Sequence, residues 1–366
     1  MSLELKRQRH RRFWQPPNKG EGGYLAVTSP IDDSGVAPYQ LPEPSSLKEQ
    51  WLSVEYALKK AEADCVNTYK GLDAVHSALT HIGPGILSAL LGAEYVLQDT
   101  TVWFDTTQVI KTFDPMPDFE IDRGHELYKL LQELTYALCA ASQDRYAVSL
   151  TDIGGQLDIL YSIRGEDLMV DLIESPDEVL IAQTKLDKAF LEVYDMQNDI
   201  IKPGGCGYTN WIPALSDDPW YPIQCDISVM ISPKMFETFV LPSLDMVSTY
   251  IGNSIYHLDG PGQIQHLDMV LSLKHVHAVQ WVALPTAMTE AGVTYRDYAD
   301  KMSFEVYDKV LKAGKKLVLA GEVEAFQVPE IFETIGCDGV FIVTDCKTRK
   351  EADELTAHAQ KKWIKS

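Results

Sequence analysis

Two groups of residues in the 366-residue chain have types and spacing suited to chemistry. The first is His257-x-Asp259 at the end of the apolar run SIYHLDG. Residues two apart on a strand share a face, so both side chains can converge on one ion. Cys346, in GVFIVTDC, and Glu322, in KKLVLAGE, could complete a set of nitrogen, oxygen and sulfur donors. Such a mixed set suits zinc, with an open position in a catalytic site. The competing expectation is that His257 and Asp259 bond each other and the following turn, with Cys346 a buried, small apolar residue. The second group is carboxylates with an arginine: Asp152, Asp158, Arg164, Asp171 and Asp226. A buried aspartate without a nearby cation can work as a general acid or base at raised pKa, which makes Asp152 and Asp226, with His257, the catalytic candidates. Arg164 and Asp171, in RGEDLMVDLIESP, instead suggest a loop tied by its own ion pair.

Substrate contacts are expected from two places. The loop PGGCGYTNWIPALSDDPW is glycine-rich and then aromatic, and Tyr208, Trp211, Trp220 and Tyr221 could wall a pocket. No Lys-Ser/Thr follows its glycines, so it is not a phosphate cradle. Gln280 and Trp281 end the apolar run HAVQWV and complete the expected contacts, with Tyr208 and Trp211 taken from the loop.

These residues need elements to hold them. From Arg145 onward short β-branched or aromatic runs alternate with longer amphipathic stretches. RYAVSLTD, PIQCDISVM, SIYHLDG, HAVQWV, KKLVLAGE and GVFIVTD read as strands, each followed by a helix. Ser175 with Glu178 reads as a capping box, Ser232-Pro233 as a helix start, and Gly314 and Gly336 as helix ends. Alternation of this kind implies a parallel sheet covered by helices. An open dinucleotide-binding sheet would require a glycine fingerprint that no strand-to-helix turn carries. A closed (β/α)8 TIM barrel fits the count, and it places function at the C-terminal ends of the strands, where the candidate residues fall. The expected organisation is one domain over 1–366. Residues 1–120 form an irregular N-terminal extension with the first barrel elements, and 121–366 form the main barrel repeat.

Charge narrows the partners. Lys+Arg number 32 against 53 Asp+Glu, a net charge of −21. A body this acidic repels phosphate backbones and anionic lipid, which argues against nucleic acid and membrane partners. The start, MSLELKRQRHRR, runs the other way and is read as a solvated helical segment before Phe13 and Trp14. No apolar leader follows it, and no window of roughly 18 unbroken apolar residues offers a membrane span. The six cysteines show no CxxC spacing and read as free thiols, so a cytoplasmic setting is expected.

QCDISVMISPKMFETFVLPSL, followed by YHLDGPGQIQHLD and then GVFIVTDCKTRKEADEL, resembles the uroporphyrinogen decarboxylase superfamily. The likeness rests on Ser232-Pro233-x-x-Phe236 and His257-x-Asp259-Gly260, and extends over roughly residues 125–366. It implies a (β/α)8 barrel. True porphyrinogen decarboxylases carry an N-terminal RQAGR segment for substrate carboxylates, and RHRRFWQPPNKGEGGYLAV lacks it. The closer branch is the zinc-dependent, corrinoid-linked methyltransferases, which use HxC on one strand and a distant Cys on a later one. His257 matches the His, Asp259 stands where the first Cys would be, and Cys346 lies where the distant Cys is expected. A carboxylate in place of a thiolate leaves zinc more Lewis-acidic, which favours an oxygen substrate over a thiol.

The resemblance therefore implies zinc-dependent methyl transfer between a small-molecule substrate and a corrinoid on a partner protein. It also implies a homodimer, which is common in the superfamily. The alternative enzyme is a metal-free decarboxylase of a small or cyclic carboxylate, with Asp226 stabilising a cationic intermediate and Arg164 or Lys202 as the carboxylate-binding cations. A third reading is a barrel that carries or senses a corrinoid or tetrapyrrole without catalysis.

Overall fold

The computed structural model describes residues 1–31, 37–104, 108–283, 301–320 and 323–365. Six strands lie parallel in one sheet: β1 (Tyr24–Pro30), β8 (Tyr221–Ile223), β9 (Ser254–Asp259), β10 (Val276–Val282), β11 (Lys316–Leu319) and β12 (Val340–Asp345). Their order is β1-β12-β11-β10-β9-β8, and β2 (Thr68–Leu72) adds an antiparallel edge on β1. Runs such as KLVL in β11 are buried at every position, as expected of parallel strands covered on both faces. A second parallel sheet joins β3 (Ser77–Ala78), β6 (Ala147–Ser149) and β7 (Tyr208–Thr209). The hairpin of β4 (Tyr95–Leu97) and β5 (Val102–Phe104) stands apart.

The expected closed barrel is therefore only partly seen. Among the described residues the strand ladder does not run round a full ring, and the two parallel sheets stay separate. The reason is local. β3, β6 and β7 are two or three residues long, and side chains then take over from the ladder. The Thr80 amide donates to Ser149 Oγ, and Thr80 Oγ1 donates to the Ser149 carbonyl, both at 2.8 Å. Between the sheets, Tyr221 Oη on β8 accepts from the Ile153 amide at 2.7 Å, just past β6.

Helices cover the strands through apolar stripes. In Glu126–Ser142, Leu127, Leu131, Leu134 and Leu138 recur at helical spacing and are buried. Each contributes about 1.5–3 kcal/mol on leaving water. Ser232 caps its helix as its sequence suggests, accepting from the Met235 amide. Ser175 occupies the N-cap position of Pro176–Gly204, but its side chain makes no capping bond, so the expected box does not form. RGEDLMVDLIESP is helical over Asp167–Glu174 rather than a loop, and Arg164 does pair with Asp171, Nε to Oδ2 at 2.6 Å. No described helix is long and apolar enough to cross a membrane.

The basic N-terminal segment corrects the sequence reading. It is a helix, Leu3–Phe13, but one face of it is buried rather than solvated. Arg9 is 0% exposed and grips Asp73, also 0% exposed, with Nε to Oδ1 at 2.5 Å and Nη2 to Oδ2 at 2.9 Å. Lys6 Nζ donates to the carbonyls of Lys70 and Ala74. His10 Nδ1 accepts from the Leu215 amide, so Nε2–H donates to the Asp73 carbonyl. Trp14 lies 5.0 Å from the Trp220 ring, and Lys316 Nζ reaches the Arg12 carbonyl. The helix thus seals the N-terminal ends of β1, β8 and β11. Its charge is consumed by internal carbonyls and a carboxylate that composition alone does not reveal.

Candidate metal and proton-transfer site

The C-terminal ends of the strands carry the candidate chemistry. β9 presents His257 and Asp259 on one face, half-buried, while Tyr256 and Leu258 on the other are fully buried. β8 delivers the chain to Cys225 and then a short 3-10 turn, Asp226–Met230. Asp226, His257 and Asp259 each offer a ligand atom, and these atoms lie within 4.8 Å of one another.

Several contacts fix this arrangement. β10 pairs with β9 so that Gln280 stands beside His257. Gln280 Oε1 lies 2.8 Å from His257 Nδ1. An amide oxygen only accepts, so Nδ1 carries the proton and the Nε2 lone pair is left for an ion, the usual outer-shell arrangement of a metal-bound histidine. Gln263, in the turn after β9, joins the two strand ends: its Oε1 accepts from the Asp259 amide and its Nε2 donates to the Cys225 carbonyl. Asp158, on the helix Gln156–Arg164, accepts from the Asp226 amide at 3.0 Å and the Ile227 amide at 2.8 Å. Gly155 is essential to that approach: a Cβ there would lie 2.5 Å from the Gln224 carbonyl oxygen.

The electrostatics call for a cation. Among the described residues, none of Asp152, Asp158, Asp226 and Asp259 forms a salt bridge with Lys or Arg. Asp226 Oδ1 is shut off from solvent without a hydrogen-bond partner. Burial raises the Asp226 carboxyl, the Asp259 charge adds to the rise, and His257 opposes it. Asp158 is pushed well above the carboxylate range, first by burial and then by Asp226. Asp152, 6% exposed at the end of β6, is pushed up to about 7 by burial and then by the Asp226 charge, with His257 and the Gly154 amide opposing. Half-buried carboxylates with no Lys or Arg partner, beside a histidine with a free Nε2, fit a divalent cation.

The remaining candidates separate. Trp211 joins the site, its ring edge-on to His257 at 6.4 Å and to Tyr221 at 6.2 Å. Tyr208 is 2% exposed, and its hydroxyl is committed to Asn198 on the helix Pro176–Gly204. Trp220 is buried against Trp14 at the opposite end of the strands and walls no pocket here. Trp281 donates from Nε1 to Ser303 Oγ on the helix Lys301–Lys312. Strand alternation explains that difference: Gln280 faces His257, so its neighbour faces the helix layer. Cys346 belongs to no ligand group among the described residues. It is buried, its amide donates to the Thr28 carbonyl, and burial with Glu351 and Asp345 nearby pushes its thiol up to about 11. Glu322 lies outside the described residues. Sequence reasoning named Asp158 without giving it a role and missed Gln263. The signal for Gln263 was a glutamine four residues after Asp259 in the tight turn GPGQ.

No family model matches the chain, and no curated protein sequence matches it. Among solved structures it is similar to a methyltransferase from Methanosarcina mazei, at 12% identity and a TM-score of 0.55, covering 91% of this chain and 94% of that one. A second likeness is to a mandelate racemase/muconate lactonizing enzyme from Jannaschia sp. CCS1, at 12% identity and a TM-score of 0.36, covering 95% of this chain and 61% of that one. The first likeness shows a shared α/β fold with parallel strands surrounded by helices.

Proposed function

We propose that the chain is a zinc-dependent methyl-transfer enzyme, with the metal held by His257 Nε2 and the carboxylates of Asp226 and Asp259. The observation that carries this reading is the convergence of those three donors, with His257 oriented by Gln280. The fold shared with a methyltransferase supports it at the level of architecture. Zinc bound there supplies Lewis acidity that acidifies a substrate heteroatom and makes it a better methyl acceptor or donor. Two carboxylates and one imidazole form a harder set than thiolates, which suits an oxygen or nitrogen substrate.

The chain's own residues do the rest. Gln280 holds the His257 ring. Asp158 and Gln263 hold the two strand ends in register. Asp152, titrating near neutral pH, takes up or returns the substrate's proton at its carboxyl oxygen. Trp211 shields the histidine side of the site from water. The methyl partner in this reading is a corrinoid carried by a separate protein. The decarboxylase reading has less support, because its carboxylate-binding cations are elsewhere: Arg164 is bound to Asp171 and Asp167, and Lys202 is exposed in the last turn of Pro176–Gly204.

Elemental analysis of the purified protein tests the proposal. One zinc per chain is expected, lost in His257→Ala and in Asp226→Ala. At zinc concentrations of 100 times Kd, the wild type gains about 2.7 kcal/mol that His257→Ala does not. Metal-free wild type that gains no stability from added zinc would overturn it.

A further inference from the structure

Away from that site, two thiols meet beside a cavity. Cys139 lies on the helix Glu126–Ser142, and Cys206 lies in the short link between the helix Pro176–Gly204 and β7. Their sulfurs are 3.7 Å apart. Gly204 makes room for them: a Cβ there would stand 3.3 Å from Cys139 Cβ and within 4 Å of both sulfurs. Gly205 and Gly207 flank Cys206 with φ of +65° and +80°, left-handed values that favour glycine and bend the chain sharply around the thiol. A disulfide bond is about 2.05 Å long, so closing one requires the sulfurs to approach by about 1.7 Å.

Cys206 is nearly inaccessible from bulk solvent, but it lines a cavity of about 330 Å³. The wall carries Lys6, Arg7, Lys70 and Arg145, against Asp144 as its only acidic residue. These cations are already held, Arg7 by Asp217, Lys70 by Asp64 and Arg145 by Glu62, so the wall is polar without selecting the charge of a visitor. The thiols also differ. Contact with Cys139 lowers the Cys206 thiol below its ordinary value, helped by backbone amides and Arg7, while the same contact raises Cys139. Of the two, Cys206 lines the cavity and Cys139 does not, so Cys206 is the nucleophile and Cys139 the resolving thiol.

We propose that Cys139 and Cys206 form a redox-active dithiol that is oxidised to a disulfide by a small-molecule disulfide entering this cavity. The Cys206 thiolate attacks one sulfur of the visitor, forming a mixed disulfide and releasing the first thiolate. Cys139 then loses its proton and attacks Cys206 Sγ, releasing the second thiolate. The protein loses two electrons and two protons. The visitor's disulfide gains them and leaves as two thiols.

The test treats the full-length protein with glutathione disulfide and maps its peptides without reduction. Two of the six thiols should disappear into a Cys139–Cys206 link that dithiothreitol reverses. Cys139→Ser should instead hold one glutathione on Cys206, and Cys206→Ser should form no link. Wild-type protein that keeps all six thiols free, or links a different pair, would overturn the proposal.

Discussion

Replacing Arg9 with Met tests whether the N-terminal helix seals the strands through its charge. In the wild type the guanidinium makes two bonds to Asp73, a 2.7 Å bond to the Gly23 carbonyl and a contact with the Lys365 carbonyl. Methionine fills much of the same volume and donates nothing. Asp73, fully buried, would retain only the Leu25 amide at 2.8 Å on its carboxylate. Removing one partner of a buried pair costs about 3–5 kcal/mol, because the other charge stays behind. At about 2.1 cal/mol/K of unfolding entropy per residue, 366 residues give about 0.77 kcal/mol/K, so a loss of about 4 kcal/mol lowers Tm by about 5 °C. Differential scanning calorimetry reads this directly. The double variant Arg9→Met/Asp73→Leu removes both charges and should recover most of the loss, since apolar replacement of a whole buried pair is often neutral. The reasoning fails if Arg9→Met melts within about 1 °C of wild type, or if the double variant is no better than the single.

The other predictions concern the candidate site. In metal-free protein the folded state holds the Asp152 proton up to about pH 7, whereas the unfolded chain releases it near 3.8. That contribution to stability is present at low pH and lost as pH rises through 7. Relative to Asp152→Asn, the wild type should therefore weaken by up to about 1.4 kcal/mol per pH unit between pH 4 and 7 in urea melts, and a constant difference would contradict the assignment. Gly155→Ala should cost about 1–3 kcal/mol by forcing a methyl group against the Gln224 carbonyl and Asp158, and unchanged urea stability would show that the turn can give way. Gln280→Leu leaves His257 Nδ1–H without its acceptor, so zinc affinity measured by chelator competition should fall about 10–100-fold, and equal affinity would remove Gln280 from the role given to it.

Much of this site could be read from residue order alone. Polar residues ending apolar runs mark strand mouths, and that rule found Asp152, Asp226, His257, Asp259 and Gln280. It treated Gln280 and Trp281 alike because it ignored which face each occupies, and strand alternation separates them. It also expected Cys346 beside His257, yet β10 and β11 lie between their strands. The ring was drawn too regularly because β6 keeps only Ala147–Ser149 of RYAVSLTD, β8 stops at Ile223 before the 3-10 turn Asp226–Met230, and the two-residue β3 and β7 lie in stretches that gave no strand pattern. The largest departure was the basic helix, whose acidic partner lies 64 residues away and leaves no local trace.

The meeting of Arg9 with the Lys365 carbonyl also bears on how the chain is made. Those partners are 356 residues apart. At about 5–20 residues per second, the second emerges roughly 20–70 s after the first. Asp73, 64 residues from Arg9, follows within about 3–13 s, but the contacts of the helix Leu3–Phe13 with Leu215, Lys316 and Lys365 wait for the rest of the chain. Arginine and lysine on that helix serve a purpose that leucine could not. Their charged heads stay hydrated in the waiting segment, where leucine would expose only apolar surface.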